Sequence, residues 1–172
     1  LRLFAKHYET GAALPEDLLR KMLAAKNFQA GMFVMRQLEF ALFDLRLHMN
    51  YNPVAPESIQ SVLNAVRKEV AVIKAPDWNR FQHGFAHIFA GGYASGYYSY
   101  LWAEVLAADV FSRFEDEGIF NQTTGAALWR DITGQGGSRA AMDLFTQFMG
   151  REPSVEALMR HKGLSKGASH EG

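Results

Sequence analysis

Residues 77–100 read D-W-N-R-F-Q-H-G-F-A-H-I-F-A-G-G-Y-A-S-G-Y-Y-S-Y, and the rest of the chain is organised around them. The stretch holds four tyrosines, three phenylalanines, two histidines and one tryptophan. If its last residues are helical, at about 100° per residue, then Tyr93, Tyr97 and Tyr100 fall within about 60° of one another. We therefore predict that three phenols share one helix face.

This row of tyrosines has two interpretations. It can be an ordinary core row whose hydroxyls reach water at the edge of the fold. It can also be a ligand or transition-state site, because the pair Gly91-Gly92 lets the backbone approach a bound molecule and because core helices usually carry Phe or Leu at such positions. Phenols next to His83 and His87 form a surface rich in hydrogen-bond donors, which suits an oxygen that gains negative charge.

The composition limits the class of protein. A chain of 172 residues fits one domain, and it lacks cysteine, which excludes disulfides and thiolate metal sites. Its 18 basic and 18 acidic residues form no run of five like charges, so we expect neither nucleic acid nor a membrane as a partner. We expect a soluble, cytoplasmic protein, and the start without Met in an apolar run suggests a piece of a longer chain.

The spacing of apolar residues predicts an all-α fold of about seven helices, with at most a short β-hairpin near residues 81–89. Residues 1–164 are predicted to form one helical domain, and residues 165–172 a disordered tail. Predicted helix caps are Gly11, Thr123 or Thr124, and Ser138. The predicted helical segments are residues 1–8, 15–26, 27–48, 56–73, 94–117, 123–133, 138–148 and a last helix that begins near residue 153.

Two further patterns are weak candidates for chemistry. His83 and His87 have the i, i+4 spacing of a zinc-binding helix, but Gly84 stands where the general-base Glu belongs. The glycine-rich run at residues 134–138 has no G-K-[ST] and no strand before it, so it is interpreted as a turn between helices rather than a phosphate loop. We predict no metal site in this chain.

Residues 85–111, F-A-H-I-F-A-G-G-Y-A-S-G-Y-Y-S-Y-L-W-A-E-V-L-A-A-D-V-F, resemble the C-terminal part of the thimet oligopeptidase family of zinc metallopeptidases. The resemblance continues in K-M-L-A-A-K-N-F-Q-A-G before this run, and in G-G-S, F-M-G-R-E-P-S and H-K-G-L after it. It covers nearly all of residues 1–164.

The resemblance implies a mostly helical, two-lobed enzyme that cleaves short peptides in a deep channel. Its zinc would be held by the two His of H-E-x-x-H and by a more distant Glu. The family roles imply Tyr97 and Tyr100 as catalytic donors to the reaction intermediate, Tyr93 as a phenol that positions substrate, and His87 as a substrate or oxyanion contact. The remaining predicted substrate-binding residues are Gly91, Gly92 and His83.

The chain departs from the family pattern because H-E-x-x-H is absent. We therefore expect the C-terminal catalytic-lobe fragment of a zinc endopeptidase, with zinc in the full-length enzyme and neither zinc nor activity in this chain alone. Expected partners are short peptides, the missing N-terminal part and a second copy of the chain, which would associate through an exposed apolar face. The alternative is a stand-alone helical module that binds a peptide or a protein without catalysis.

Overall fold

The computed structural model describes residues 1–2, 4–54 and 58–165, and it confirms the all-α prediction. Within these residues there is no strand, only one antiparallel bridge between Lys6 and Ala13. No helix in the described part of the chain is both long and apolar enough to cross a membrane. The elements are α1 (Glu16–Ala25), α2 (Ala30–Asn50), α3 (Ile59–Val70), a 3₁₀ turn (Phe81–Gly84), α4 (Ala86–Phe89), α5 (Ser99–Glu117), α6 (Gln122–Leu128), a π-helical turn (Trp129–Thr133), α7 (Ala141–Met149) and α8 (Glu156–His161).

The chain divides into two compact units, Leu1–Ala30 and Gly31–Gly172. The prediction of one domain over residues 1–164 stays a prediction. Residues 166–172 of the predicted tail, and the predicted start of a helix at residue 56, lie outside the described residues.

The first unit corrects one prediction, because its opening residues are turns and not the end of a helix. The N–H of His7 donates to the carbonyl of Ala12 at 2.8 Å, so the chain doubles back on itself. Gly11 makes this reversal possible with a φ of +68°. Helix α1 follows Pro15 as predicted, with Glu16 in its first turn, where the helix dipole favours an acid.

The core of the second unit joins α2, α3 and the segment around α4. Within α2 and within α3, the buried residues are three or four positions apart, as the apolar periodicity predicted. The segment from residue 81 to 89 packs on them as a 3₁₀ turn and one turn of α-helix, and the hairpin allowed by the sequence does not form there. The buried members of this core are Phe43, Leu47, Leu63, Val66, Phe85 and Ile88.

The starts of α5, α6 and α7 differ from the predicted ones. Helix α5 begins at Ser99 and not near residue 94, because residues 94–98 form turns. Helix α6 is capped by Asn121 instead of a threonine, since its side-chain oxygen accepts from the backbone N–H groups of Thr123 and Thr124. Helix α7 begins at Ala141 without a side-chain cap, while Ser138 lies in the preceding turn and bonds Gln135.

A second apolar cluster joins α5 to α8 through Val105, Ala108, Ala157 and Leu158. Beside it, the carboxylate of Asp109, which is 1 % exposed, accepts from Arg151 and from the backbone N–H of Ser154. The Asp109–Arg151 pair fixes the segment that leads into α8, and it lies outside residues 77–100.

Candidate functional site

The entry to residues 77–100 is held by a buried polar network. Arg67 of α3 donates to Glu39 of α2 at 2.9 Å and to the side-chain oxygen of Asn79 at 2.8 Å. Glu39 is 3 % exposed and also pairs with Arg36 at 2.8 Å. Because Asn79 accepts from the N–H of Phe81 as well, the network sets where the 3₁₀ turn begins.

The glycine pair reverses the chain after α4. A Cβ on Gly91 would lie 3.0 Å from both the Cα and the carbonyl oxygen of His87, so only glycine fits there without movement. Gly92 has a φ of +79°, in the left-handed region that glycine favours. The reversal lets the N–H of Tyr93 donate to the carbonyl of His87 at 3.0 Å. His87 and Tyr93 are thereby brought side by side, with ring centroids 6.1 Å apart.

A second turn, at residues 94–98, is anchored from α2 by Asp44. The carboxylate of Asp44 is fully buried and accepts from the N–H of Ser95 and the N–H of Tyr97, both at 2.9 Å. Ser95 adopts a φ of +56°, which is unusual for a residue other than glycine and costs about 1–3 kcal/mol. Backbone N–H groups that point to one side of a turn can bind an anion, and here the N–H groups of Ser95 and Tyr97 bind a carboxylate of the protein itself.

These two turns bring four predicted site residues into one cluster of rings. Tyr100 lies 5.0 Å from Tyr93 and 5.2 Å from Tyr97, measured between ring centroids. His87 lies 5.8 Å from Tyr97 and 6.3 Å from Tyr100. The three phenols therefore meet, although they do so across a turn and the start of a helix rather than along one helix face. We call Tyr93, Tyr97, Tyr100 and His87 the tyrosine cluster.

The tyrosine cluster lies at the rim of the core and faces solvent. Tyr97 packs partly buried against Phe85 at 5.0 Å, while Tyr93 and Tyr100 are 37 % and 42 % exposed. His87 is also exposed. A molecule can therefore reach the outer phenols while the inner one is held by the core.

Tyr97 and Tyr100 hold their phenol protons at neutral pH. A hydrogen bond with Tyr93 is the main cause that raises the pKa of Tyr100, and burial adds to it. Burial also raises the pKa of Tyr97, against the opposing positive charge of Arg36. Since an ordinary phenol titrates near pH 10, groups shifted upward from it are O–H donors throughout the physiological range.

The hydroxyl of Tyr97 already has a partner in α2. It donates to the side-chain oxygen of Gln37 at 3.1 Å. Neither Gln37 nor Asp44 was identified from the sequence. The one available signal was a carboxylate in a largely apolar helix with His48 four residues later, because a charge at such a position requires partners.

The other predicted residues lie apart from this cluster. His83 is exposed on the 3₁₀ turn, and the ring contacts of the described residues join it to none of the four. Among residues 1–2, 4–54 and 58–165, no three His, Asp or Glu side chains lie close enough together to hold a metal ion. The described chain therefore supplies donors and apolar surface at this site, and not a set of metal ligands.

Known proteins are similar to this chain over almost its whole length. The sequence profile of Peptidase family M3 matches residues 1–164. The chain is 57 % identical over 164 residues to oligopeptidase A of Escherichia coli, and 56 % identical over 164 residues to oligopeptidase A of Salmonella typhimurium. It is 33 % identical over 161 residues to saccharolysin of Saccharomyces cerevisiae.

These matches cover 95 %, 95 % and 93 % of this chain in turn. They cover only 24 %, 24 % and 22 % of the relatives. The chain thus spans about a quarter of the length of the curated relatives it matches.

Proposed function

Because the chain belongs to peptidase family M3, we propose that it forms the substrate-side wall of a metalloendopeptidase that hydrolyses short peptides. The observation that carries this proposal is the tyrosine cluster, in which three phenol rings are gathered at an exposed rim of the core. When a nucleophile attacks a peptide carbonyl, the carbonyl oxygen gains negative charge. Donors placed where that charge develops stabilise the transition state more than the ground state.

Tyr97 and Tyr100 are the proposed donors to this oxygen. Their raised pKa values keep both phenols protonated, which a donor requires. Tyr97 must turn its O–H away from Gln37 before it can donate to a substrate. This exchange replaces a hydrogen bond to a neutral amide by one to a developing anion, and charge-assisted hydrogen bonds are the stronger kind.

The neighbouring groups are proposed to hold the peptide. Tyr93 contacts Tyr100 and is exposed, so it can touch bound substrate as a positioning phenol. His87 faces the same side of the cluster as a substrate contact. The backbone at Gly91 and Gly92 carries no side chain that would keep a peptide away, and His83 is a more distant contact on the 3₁₀ turn.

The zinc that family membership implies does not fit the described residues of this chain, since they gather no set of three ligating side chains. In this proposal the metal and the general base are supplied by a part of the polypeptide outside this sequence. The relatives are about four times as long as the region they share with this chain, so they have room for such a part.

Steady-state kinetics of the complete polypeptide on a short fluorogenic peptide test the proposal. Tyr97→Phe and Tyr100→Phe should each lower kcat by about 10²–10³-fold with little change in KM, because each removes a donor that acts in the transition state. Tyr93→Phe should change KM more than kcat. Tyr98→Phe is the matched control, since Tyr98 is exposed and its ring is outside the tyrosine cluster.

Each variant is checked for metal content and melting temperature before its kinetics are compared. Normal kcat in both Tyr97→Phe and Tyr100→Phe would assign these residues to the edge of the core instead. Peptide binding without any turnover by the complete polypeptide would favour a binding module.

A further inference from the structure

Tyr97 lies along helix α2 and touches it at three points. Its backbone N–H donates to Asp44, its ring meets the ring of Phe40 edge-on at 5.7 Å and 83°, and its hydroxyl donates to Gln37. Positions 37, 40 and 44 are three and four residues apart and therefore lie on one face of the helix. One face of α2 thus holds both ends of Tyr97.

Asp44 is the anchor of this arrangement. Its Oδ1 accepts from Ser95 and its Oδ2 accepts from Tyr97. Nδ1 of His48 lies 2.9 Å from the backbone carbonyl oxygen of Asp44, to which it hydrogen-bonds, and 2.9 Å from Oδ1. A fully buried carboxylate is stable only when its oxygens are paired, and here the backbone of the turn supplies two of the partners. The turn is therefore fixed to α2 by a carboxylate that lies about fifty residues earlier in the chain.

The anchored turn leads directly into the residues of the tyrosine cluster. Tyr97 itself donates its backbone N–H to Asp44. Tyr100 follows within the first turn of α5, with its ring 5.2 Å from that of Tyr97. Movement of the Tyr97 backbone must move both phenols. An error of about 1 Å in the placement of a catalytic group can lower the rate about 10²-fold.

We propose that Asp44 is a positioning residue for peptide hydrolysis, acting through the backbone of Ser95 and Tyr97 to place the Tyr97 and Tyr100 hydroxyls. This inference rests on the function proposed above. Asp44 does not touch the substrate in this role. Its removal should therefore lower kcat through the tyrosines and leave peptide binding nearly unchanged.

The experiment is a double-mutant cycle between Asp44→Asn and Tyr97→Phe in the complete, metal-loaded polypeptide. Asn has the shape of Asp but turns one acceptor into an N–H₂ group that faces a backbone N–H, so one of the two anchoring bonds is lost. We expect Asp44→Asn to lower kcat about 10–100-fold with KM within about twofold. In the Tyr97→Phe background the same change should cost clearly less, because the donor it positions is already gone.

Asp109→Asn is the matched control. Asp109 is equally buried and also accepts a backbone N–H, but it lies in the middle of α5, where it binds the segment before α8, and outside the tyrosine cluster. It should lower the melting temperature and leave kcat unchanged. If Asp44→Asn does not fold, the cycle is run with His48→Ala, which removes the ring nitrogen that lies 2.9 Å from Oδ1 of Asp44. The side chain of His48 is 27 % exposed. That change should give a smaller loss of kcat with the same coupling to Tyr97.

The outcomes separate the two proposals. Normal kcat in Asp44→Asn overturns the positioning role, and a fully multiplicative loss with Tyr97→Phe overturns it for Tyr97. Both outcomes leave the function of the tyrosines standing. Normal kcat in Tyr97→Phe and Tyr100→Phe overturns the proposed function and the positioning role together.

Discussion

The guanidinium of Arg151 binds the buried carboxylate of Asp109, with its Nη1 2.8 Å from Oδ2. The N–H of Ser154 reaches the same oxygen at 2.7 Å, so one carboxylate joins α5 to the segment before α8. We expect Asp109→Asn to lower the free energy of unfolding by about 1–3 kcal/mol, because the buried donors then lack a charged acceptor. Calorimetry measures this loss. Asp116→Asn, on the exposed side of α5, should stay within about 0.5 kcal/mol of the parent protein.

The same pair predicts a dependence of stability on pH. The hydrogen bond from Arg151, with that from Ser154, lowers the pKa of Asp109. A lowered pKa in the folded state adds stability above the ordinary pKa of an Asp, and this stability is lost as the pH falls through the lowered value. Denaturant unfolding at a series of pH values should show the gap between the parent and Asp109→Asn shrinking below about pH 4. A gap that stays constant down to the lowest pH would contradict this prediction.

The tyrosine cluster makes a spectroscopic prediction. The hydrogen bond with Tyr93 is the main cause that raises the pKa of Tyr100, so Tyr93→Phe should lower the pKa of Tyr100 toward its ordinary value. NMR of ¹³C-labelled tyrosine, with each signal assigned by its Phe variant, measures this change. Tyr98→Phe should leave the titration of Tyr100 unaltered, and an equal shift in both variants would show that the effect is not specific to Tyr93.

The close approach at Gly91 predicts that any side chain at this position is destabilising. In Gly91→Ala the new Cβ would press on the backbone of His87, so that this backbone must shift. Such overpacking typically costs about 1–3 kcal/mol, and here it should also impair peptide turnover. Gly84→Ala is the control, because a Cβ there meets no atom within 4 Å. Thermal melts and kinetics of the two variants compare a crowded glycine with an open one. Equal tolerance of both would refute the steric argument.

The helices could be predicted where local patterns decide the structure. Apolar spacing identified α1, α2 and α3, since burial of one helix face follows from sequence periodicity. Residues 1–8 carry a similar pattern, yet residues 5–7 pair with residues after Gly11, and the described residues of this segment form no helix. A short apolar run does not show which partner it will pack against.

The sequence identified the residues of the candidate site better than it predicted their arrangement. The glycine pair and the repeated tyrosines marked the stretch, but the helical face inferred for them was wrong. Ser95 takes a positive φ that its residue type does not indicate, and this turn is held by Asp44 from a distant helix. Long-range bonds of this kind leave no periodic trace in the sequence.

The attachment of Tyr97 to α2 bears on protein engineering. A chimaera that receives residues 77–100 alone would gain the tyrosines but would lack Gln37 and Asp44, which lie outside the transferred segment. The smallest transferable block is therefore discontinuous, and it comprises one face of α2 together with the tyrosine turn. Libraries that diversify the turn for altered peptide selectivity should keep those two α2 positions constant.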